Sequence, residues 1–130
     1  MNILVGYDTS NVAKEAVELS LTHARAFEAK VFLVHSMKGG PEVPRRDFEN
    51  AELELKRANT VYGENGITSE SRLLVRDLSP GEDLVQFARE NNINEIIMGV
   101  KRRSKVGKML FGSNAQYIIL NAPCPVVTVT

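Results

Sequence analysis

The chain has 130 residues, of which 43% are hydrophobic and 25% charged, a composition typical of one globular domain and not of a disordered chain. Sixteen basic residues balance sixteen acidic ones, which argues against a general nucleic-acid or membrane-surface protein. No apolar run is long enough to span a bilayer, no signal pattern opens the chain, and the single cysteine cannot form an internal disulfide. We therefore expect one cytoplasmic domain over residues 1–130 that binds neither nucleic acid nor membrane.

Five short apolar runs, rich in β-branched residues, predict five strands. They cover residues 3–5, 31–34, 73–75, 96–98 and 126–129. Each run is apolar at consecutive positions, as expected for strands that are covered on both faces of a sheet.

Four segments of helical period alternate with these strands. The first two helices are predicted over residues 11–28 and 45–63. Their expected inner faces comprise Val12, Ala16, Leu19, Ser20, His23 and Phe27 in the first helix, and Phe48, Ala51, Leu55, Ala58 and Tyr62 in the second.

The third and fourth helices carry start signals. Ser79 and Glu82 form a capping box, with Pro80 at the first helical position, and Ser113 with Gln116 forms a second capping box. The expected inner faces are Leu84, Phe87 and Ala88 in the third helix, and Ala115, Ile118 and Ile119 in the fourth.

Strands that alternate with helices predict a doubly wound α/β domain, in which a parallel sheet lies between helices on both faces. A ligand binds such a sheet beyond the carboxyl ends of the strands, where the strand order reverses. Two segments carry polar chemistry at such positions: residues 6–10 after the first strand and residues 99–113 after the fourth.

The segment after the fourth strand is typical of a phosphate site. Glycines at 99, 107 and 112 allow backbone amides to approach an anion, and the helix that starts beside Ser113 and Asn114 adds unpaired amide donors. The local charge is strongly positive, and its basic residues are Lys101, Arg102, Arg103, Lys105 and Lys108. The alternative is a simple helix cap beside solvated side chains.

Other phosphate motifs are excluded. A Walker A loop would need glycine at 102 and Ser or Thr at 109, where the chain has Arg102 and Met109. The first strand leads to Gly6-Tyr7-Asp8 without a dinucleotide G-x-G-x-x-G. A flavodoxin-like phosphate loop and the acidic pair of a receiver domain are also missing after the first strand.

The glycine spacing resembles the signature of the universal stress protein family, G-2x-G-9x-G-(S/T), in Gly99 followed after twelve residues by Gly112-Ser113. The opening residues 3–10, the second strand through His35 and the ending from Ala122 to Val127 are also similar to that family. One position departs, because Arg102 replaces the second signature glycine. The arginine side chain puts in doubt the close approach of the backbone to the ligand at this position. Its guanidinium, however, is a strong hydrogen-bond donor to phosphate.

The resemblance implies strand order 3-2-1-4-5, ATP binding, and a homodimer that pairs through the last strand, Val126–Val129. By position, Asp8 would contact the ribose or adenine, aided by Gly6, Tyr7 and Thr9. Ser36 stands where the backbone of the family meets adenine. The remaining nucleotide-binding positions implied are Met98, Gly99 and Lys101 beside the ribose, and Arg102, Gly112, Ser113 and Asn114 beside the phosphates.

Asp8 has two further readings. An Asp just before a helix is often only its N-cap, although Thr9, Ser10 or Asn11 could cap this helix equally well. A lone carboxylate can also hold a hydrated magnesium ion through water. His23, His35 and Cys124 have no partner at ligand spacing, and we assign them structural roles.

The leading hypothesis is a small regulatory homodimer linked to stress that binds ATP, or the related ADP or AMP, with magnesium as a possible companion. No catalytic residue is assigned. A slow ATP hydrolase or phosphotransferase is one alternative, although no base to position a water is evident. The other is a module that binds no nucleotide and meets an unknown protein partner through the basic loop.

Overall fold

A computed structural model describes residues 1–101 and 112–130 of the chain. Strands and helices alternate in the predicted order, and the bounds are β1 Asn2–Gly6, α1 Asn11–Phe27, β2 Lys30–Ser36, α2 Arg45–Glu64, β3 Ser69–Leu74, α3 Pro80–Glu90, β4 Glu95–Gly99, α4 Ser113–Asn121 and β5 Val126–Val129. In this part of the chain, none of the helices is long and apolar enough to cross a membrane.

The five strands form one parallel sheet in the order β3-β2-β1-β4-β5. Gly6 at the end of β1 pairs with Val34 of β2 on one side and with Met98 of β4 on the other. The strand order reverses at β1, so the crevice between β1 and β4 is the place where such a fold offers a ligand site. The doubly wound fold and its strand order are confirmed.

Alternate residues of the central strands pack into two hydrophobic layers. Ile3, Val5 and Leu33 face α1 and α2, whereas Leu4 and Phe32 face α3 and α4. These side chains are at most 6% exposed, so both faces of the central strands are removed from water. Burial of this apolar surface is the main driving force for the fold.

The edge strand β3 is longer and more polar than the sequence predicts. It begins at Ser69 and ends at Leu74, and Val75 lies outside it and is 42% exposed. Glu70 receives hydrogen bonds from Lys30 of β2 and from Arg72 of its own strand. An edge strand needs no continuous apolar run, because part of its surface stays in water.

The buried face of α1 includes Ala16 and Ser20 of the predicted face but otherwise lies one residue further along the chain. Small residues such as Ala13, Ala16 and Ala24 pack on the sheet, while Phe27 is 51% exposed. The inner face predicted for α4 also differs, since Ile118 is buried but Ile119 is 42% exposed. Alanines allow a helix to approach a sheet closely, and this close packing sets the rotation of α1 more than its largest side chains do.

The caps of α3 and α4 differ from the predicted capping boxes. Ser79 is the N-cap of α3, but its hydroxyl donates to Glu82 Oε1 at 2.6 Å and no side-chain cap hydrogen bond forms. In α4 the N-cap is Gly112, because its carbonyl already accepts from the amide of Gln116 at 3.0 Å. Ser113 is therefore the first helical residue and not the cap.

Candidate functional site

A cavity of about 390 Å³ opens at the carboxyl ends of β1 and β4, in the crevice where the strand order reverses. Its walls are formed by the carboxyl ends of β1, β2 and β4, by the residues that follow β1 and β4, and by the first turns of α1, α3 and α4. Concave sites of this size hold small ligands.

Ten of the predicted site residues line this cavity, namely Gly6, Tyr7, Asp8, Ser36, Met98, Gly99, Lys101, Gly112, Ser113 and Asn114. Thr9 is not among the lining residues, and its backbone adopts a left-handed φ of 67°. Arg102 lies outside the described residues, as do the basic residues Arg103, Lys105 and Lys108.

Asp8 lies exposed at the cavity and supports the start of α1 without being its cap. Its Oδ1 accepts hydrogen bonds from the amide of Ser10 at 3.0 Å and from the hydroxyl of Ser10 at 2.5 Å. Ser10 is the N-cap and accepts in turn from the amide of Ala13. The carboxylate is thus held in a defined position by one residue while it faces the cavity.

Tyr7 follows β1 and His35 lies near the end of the neighbouring strand β2, and both line the cavity beside Asp8. Burial raises the pKa of Tyr7, and the carboxylates of Glu54 and Asp8 raise it further. Burial lowers the pKa of His35 below its ordinary value of 6.5, while the Asp8 carboxylate opposes this shift. The His35 ring is therefore held in its neutral form at pH 7, although the sequence assigned it only a structural role.

The two glycines that frame the fourth strand and helix serve different purposes. A Cβ on Gly99 would lie 2.5 Å from the carbonyl carbon of Val12. The close packing of β4 against α1 therefore requires glycine at position 99. A Cβ on Gly112 would meet nothing within 4 Å among residues 1–101 and 112–130, and the Gly112 φ of −65° is accessible to residues with side chains. No contact within the described residues therefore requires glycine at 112.

The first turns of α3 and α4 meet at one wall of the cavity. The amide of Gly81 donates to Asn114 Oδ1 at 3.0 Å, so an asparagine of α4 supplies the acceptor that Ser79 does not supply. Gly81 has no room for a side chain, because a Cβ would lie 2.9 Å from the Asn114 carbonyl oxygen. Two helix N-termini thus bring backbone amides and partial positive charge to the same place.

A buried charge network stands behind this wall and was missed from the sequence. Asp83 is 0% exposed, and its carboxylate accepts from the Ser36 hydroxyl at 2.8 Å and from Arg76 Nε at 2.6 Å. Arg76 also donates to Glu90 at 2.8 Å. The available signal was that Asp83 is four residues before Phe87 and so shares its inward face.

The two histidines that the sequence set aside differ in position. His23 lies far from the cavity, where its Nδ1 is 2.7 Å from Glu95 Oε1 at the amino end of β4 and its ring packs edge-on against Phe27. His35 lies on the cavity wall, and its Nδ1 is buried with no hydrogen-bond partner among residues 1–101 and 112–130. The signal for His35 was its place immediately before Ser36, at the end of the second strand.

The fold is a doubly wound α/β domain with a cavity at the point where the strand order reverses. The sequence model of the universal stress protein family matches residues 1–130. A universal stress protein of Thermus aquaticus, encoded in the 3′ region of QAH/OAS sulfhydrylase, is 32% identical over 98% of this chain and 96% of its own length. The chain belongs to the universal stress protein family.

Solved structures agree with this assignment. A universal stress protein from Archaeoglobus fulgidus is 34% identical, covers all of this chain and 98% of its own, and superposes with a TM-score of 0.90. A structure of the universal stress protein from that organism in complex with dAMP is 31% identical over the same shares of the two chains, with a TM-score of 0.86.

Proposed function

We propose that this universal stress protein binds an adenine nucleotide in the cavity between β1 and β4, as ATP or as the related ADP or AMP. The observation that carries the proposal is the cavity at the reversal of strand order, which is lined both by the carboxylate of Asp8 and by Ser113 and Asn114 at the N-terminus of α4. The related structure in complex with dAMP supports an adenine nucleotide as the ligand class.

We place the phosphates beside Gly112, Ser113 and Asn114, and Lys101, two residues after β4, lines the same cavity. Amides at a helix N-terminus and a lysine ammonium both favour an anion. Arg102 follows Lys101 directly in the chain, so its charge adds to this attraction in our account.

In our proposal, the base and ribose lie at the carboxyl ends of β1, β2 and β4. Asp8 presents a carboxylate that can accept from ribose hydroxyls, and Gly6 and Tyr7 form the floor beside it. Ser36 and Met98 are 8% and 5% exposed and line the cavity from β2 and β4, where we place the flat base.

A magnesium ion would depend on the nucleotide. In the part of the chain that the structure describes, no group of three or more His, Cys, Asp or Glu side chains is arranged to hold a metal ion. Asp8 fits an ion held through water, because Mg²⁺ is commonly bound by one or two carboxylates together with substrate phosphates.

We also propose that the protein is a cytoplasmic homodimer with a regulatory role, whose conformation or choice of protein partner responds to the nucleotide. The strand β5, Val126–Val129, lies at one edge of the sheet, and Ile119 and Leu120 of the preceding helix are 42% and 80% exposed. An apolar edge strand is a surface that pairing with a second copy would cover.

The proposed binding is tested by thermal unfolding with and without millimolar Mg-ATP or AMP. A ligand at about 100 times its Kd adds ~2.7 kcal/mol, which raises the Tm of a domain of this size by roughly 8–14 °C. Gly112→Glu places a carboxylate in the phosphate end and should remove the shift. Gly63→Glu is the matched control, because Gly63 is exposed on α2 and a Cβ there also meets no atom within 4 Å in the part of the chain that the structure describes.

Absence of a shift in folded, nucleotide-free wild-type protein would contradict the proposal and favour the module that binds only a protein partner. A shift that persists in Gly112→Glu would place the nucleotide elsewhere.

A further inference from the structure

Asp83 is the only fully buried carboxylate among residues 1–101 and 112–130. Removal of a carboxylate from water is costly even when an arginine accompanies it, and an apolar pair of similar volume is often at least as stabilising. Stability alone therefore gives a weak reason for a charge at this position.

The Asp83 carboxylate connects three elements of the fold. Its Oδ2 accepts from the hydroxyl of Ser36 at the end of β2, and its Oδ1 accepts from Arg76 in the loop after β3. Arg76 also donates to the Asp83 carbonyl at 3.2 Å, so the side chain and the backbone of α3 are both held. Ser36 is one of the residues that line the cavity.

The same turn of α3 connects to the other end of the cavity. Gly81 lies two residues before Asp83 and donates its amide to Asn114 Oδ1, while Pro80 lines the cavity directly. Close backbone contact between Gly81 and Asn114 leaves little freedom for one first turn to move without the other.

We propose that Asp83 is a positioning residue for the nucleotide, which holds Ser36 and the first turns of α3 and α4 at a fixed separation. This inference rests on the proposed function. Asp83 touches neither end of the ligand in this account. It sets the distance between the base end beside Ser36 and the phosphate end beside Asn114, so a ligand that spans both ends depends on it most.

The isosteric variant Asp83→Asn tests this role. Arg76 keeps its hydrogen bond to Glu90 and is 30% exposed, so the variant leaves no buried charge unpaired. Calorimetric titration of AMP and of adenosine is made with the wild type and the variant under conditions where both are fully folded. We expect AMP affinity to fall about tenfold or more and adenosine affinity to fall about threefold or less.

A fall in AMP affinity distinguishes a positioning role of Asp83 from a purely electrostatic role and from a purely structural one. Loss of a negative charge near the cavity would by itself strengthen binding of the AMP dianion. A purely structural role would lower the Tm and leave the affinity of the folded protein unchanged.

Glu95→Gln is the matched control. Glu95 is also a largely buried carboxylate, and its hydrogen-bond partner is the ring of His23. It lies at the amino end of β4, away from the cavity. The control makes the same change in charge, and its affinity for AMP should stay within twofold of the wild type.

If Asp83→Asn does not fold, Ser36→Ala removes the connection from the other side and Ser36→Thr restores the hydroxyl. We expect the loss of AMP affinity in the first variant and its recovery in the second. If the wild type binds AMP and Asp83→Asn binds it equally well or more tightly, the positioning role is wrong but the proposed function stands. Wild-type protein that binds no AMP at millimolar concentration would overturn both the inference and the proposed function.

Discussion

The backbone amide of Gly81 donates a hydrogen bond of 3.0 Å to the side-chain oxygen of Asn114, so that the first turns of α3 and α4 are joined at the wall of the cavity. The contact satisfies one of the amides that α3 leaves unpaired at its N-terminus. It also means that an asparagine we expect beside the phosphates is oriented by a neighbouring helix before any ligand arrives.

Gly81→Ala should therefore affect binding as well as stability. The new Cβ would lie 2.9 Å from the Asn114 carbonyl oxygen and 3.0 Å from its Cα, so α4 must shift by several tenths of an ångström. We expect a loss of about 1–3 kcal/mol in the free energy of unfolding, typical of overpacking. AMP affinity should fall more than adenosine affinity, measured by calorimetric titration, and equal losses for the two ligands would contradict the contact's proposed role at the phosphate end.

Gly99→Ala and Gly112→Ala should separate a glycine that the fold needs from one that it does not. A Cβ on Gly99 would lie within 2.6 Å of both the carbonyl carbon and oxygen of Val12, so we expect a loss of about 3 kcal/mol or failure to fold. Gly112→Ala should keep the free energy of unfolding within about 0.5 kcal/mol of the wild type. Urea denaturation measures both, and equal destabilisation by the two substitutions would refute the distinction.

Removal of Arg76 should lower the free energy of unfolding more than removal of the Asp83 charge. Arg76→Met leaves the fully buried Asp83 carboxylate without its cation, and we expect a loss of about 3–5 kcal/mol. Asp83→Asn leaves Arg76 partly exposed and bonded to Glu90, and we expect a smaller loss of about 1–2 kcal/mol. Denaturant titration at pH 7 gives both values, and a reversed order would show that the network is not organised around Asp83.

Stability should depend on pH through His35. Burial lowers its pKa in the folded state, so the unfolded chain binds more protons as the pH falls below the ordinary value of 6.5. The contribution of the neutral ring is present above pH 6.5 and is lost as the pH falls toward the lowered pKa. We expect unfolding free energy to decrease over this range and the slope to flatten in His35→Gln. Identical slopes in the two proteins would rule out His35 as the source.

The proposed dimer makes a further prediction. Leu120 is 80% exposed on α4, which precedes the edge strand β5. Leu120→Arg should convert a dimer into a monomer, because a buried interface does not accommodate an unpaired guanidinium. Light scattering after size-exclusion chromatography measures the mass, and nucleotide affinity should stay unchanged. A wild-type protein that is already monomeric would contradict the dimer.

The sequence predicted most of the fold because its strands are apolar at consecutive positions. The runs at residues 31–34 and 96–98 lie in buried central strands, as expected for a sheet that is covered on both faces. The edge strand β3 was placed too late in the chain, since its polar residues 69–72 carry no such pattern. The strand order came from the family resemblance and not from periodicity, and the structure confirms it.

The details that sequence reasoning missed are all tertiary contacts. Periodicity placed Phe27 on the inner face of α1. Close packing of the alanines on the sheet instead leaves the Phe27 side chain exposed to solvent. Ser79 and Ser113 match a capping motif, yet Asn114 from another helix supplies the acceptor for α3, and Gly112 caps α4. The buried network of Asp83 was not predicted, because a local sequence pattern does not show that Ser36 and Arg76 lie beside this residue.

The candidate site was outlined by the rule for strand ends, and the structure brings ten of its predicted residues around one cavity. The rule identifies which loops meet, because the carboxyl ends of parallel strands share an edge of the sheet. It does not identify residues that reach the cavity from a helix, such as Pro80 and Leu84 of α3. The roles of these residues in nucleotide binding stay predictions.

The central claim, that an adenine nucleotide occupies the cavity between β1 and β4, is tested most directly by a residue-resolved titration. Amide signals of isotope-labelled protein are followed by NMR while AMP is added. We expect the largest shifts at Gly6, Asp8, Ser36 and Gly112, which line the cavity. Signals of Gly66 and Ile67, beyond the C-terminus of α2, should stay in place. No shifts at millimolar AMP, or shifts that cluster away from the cavity, would contradict the account.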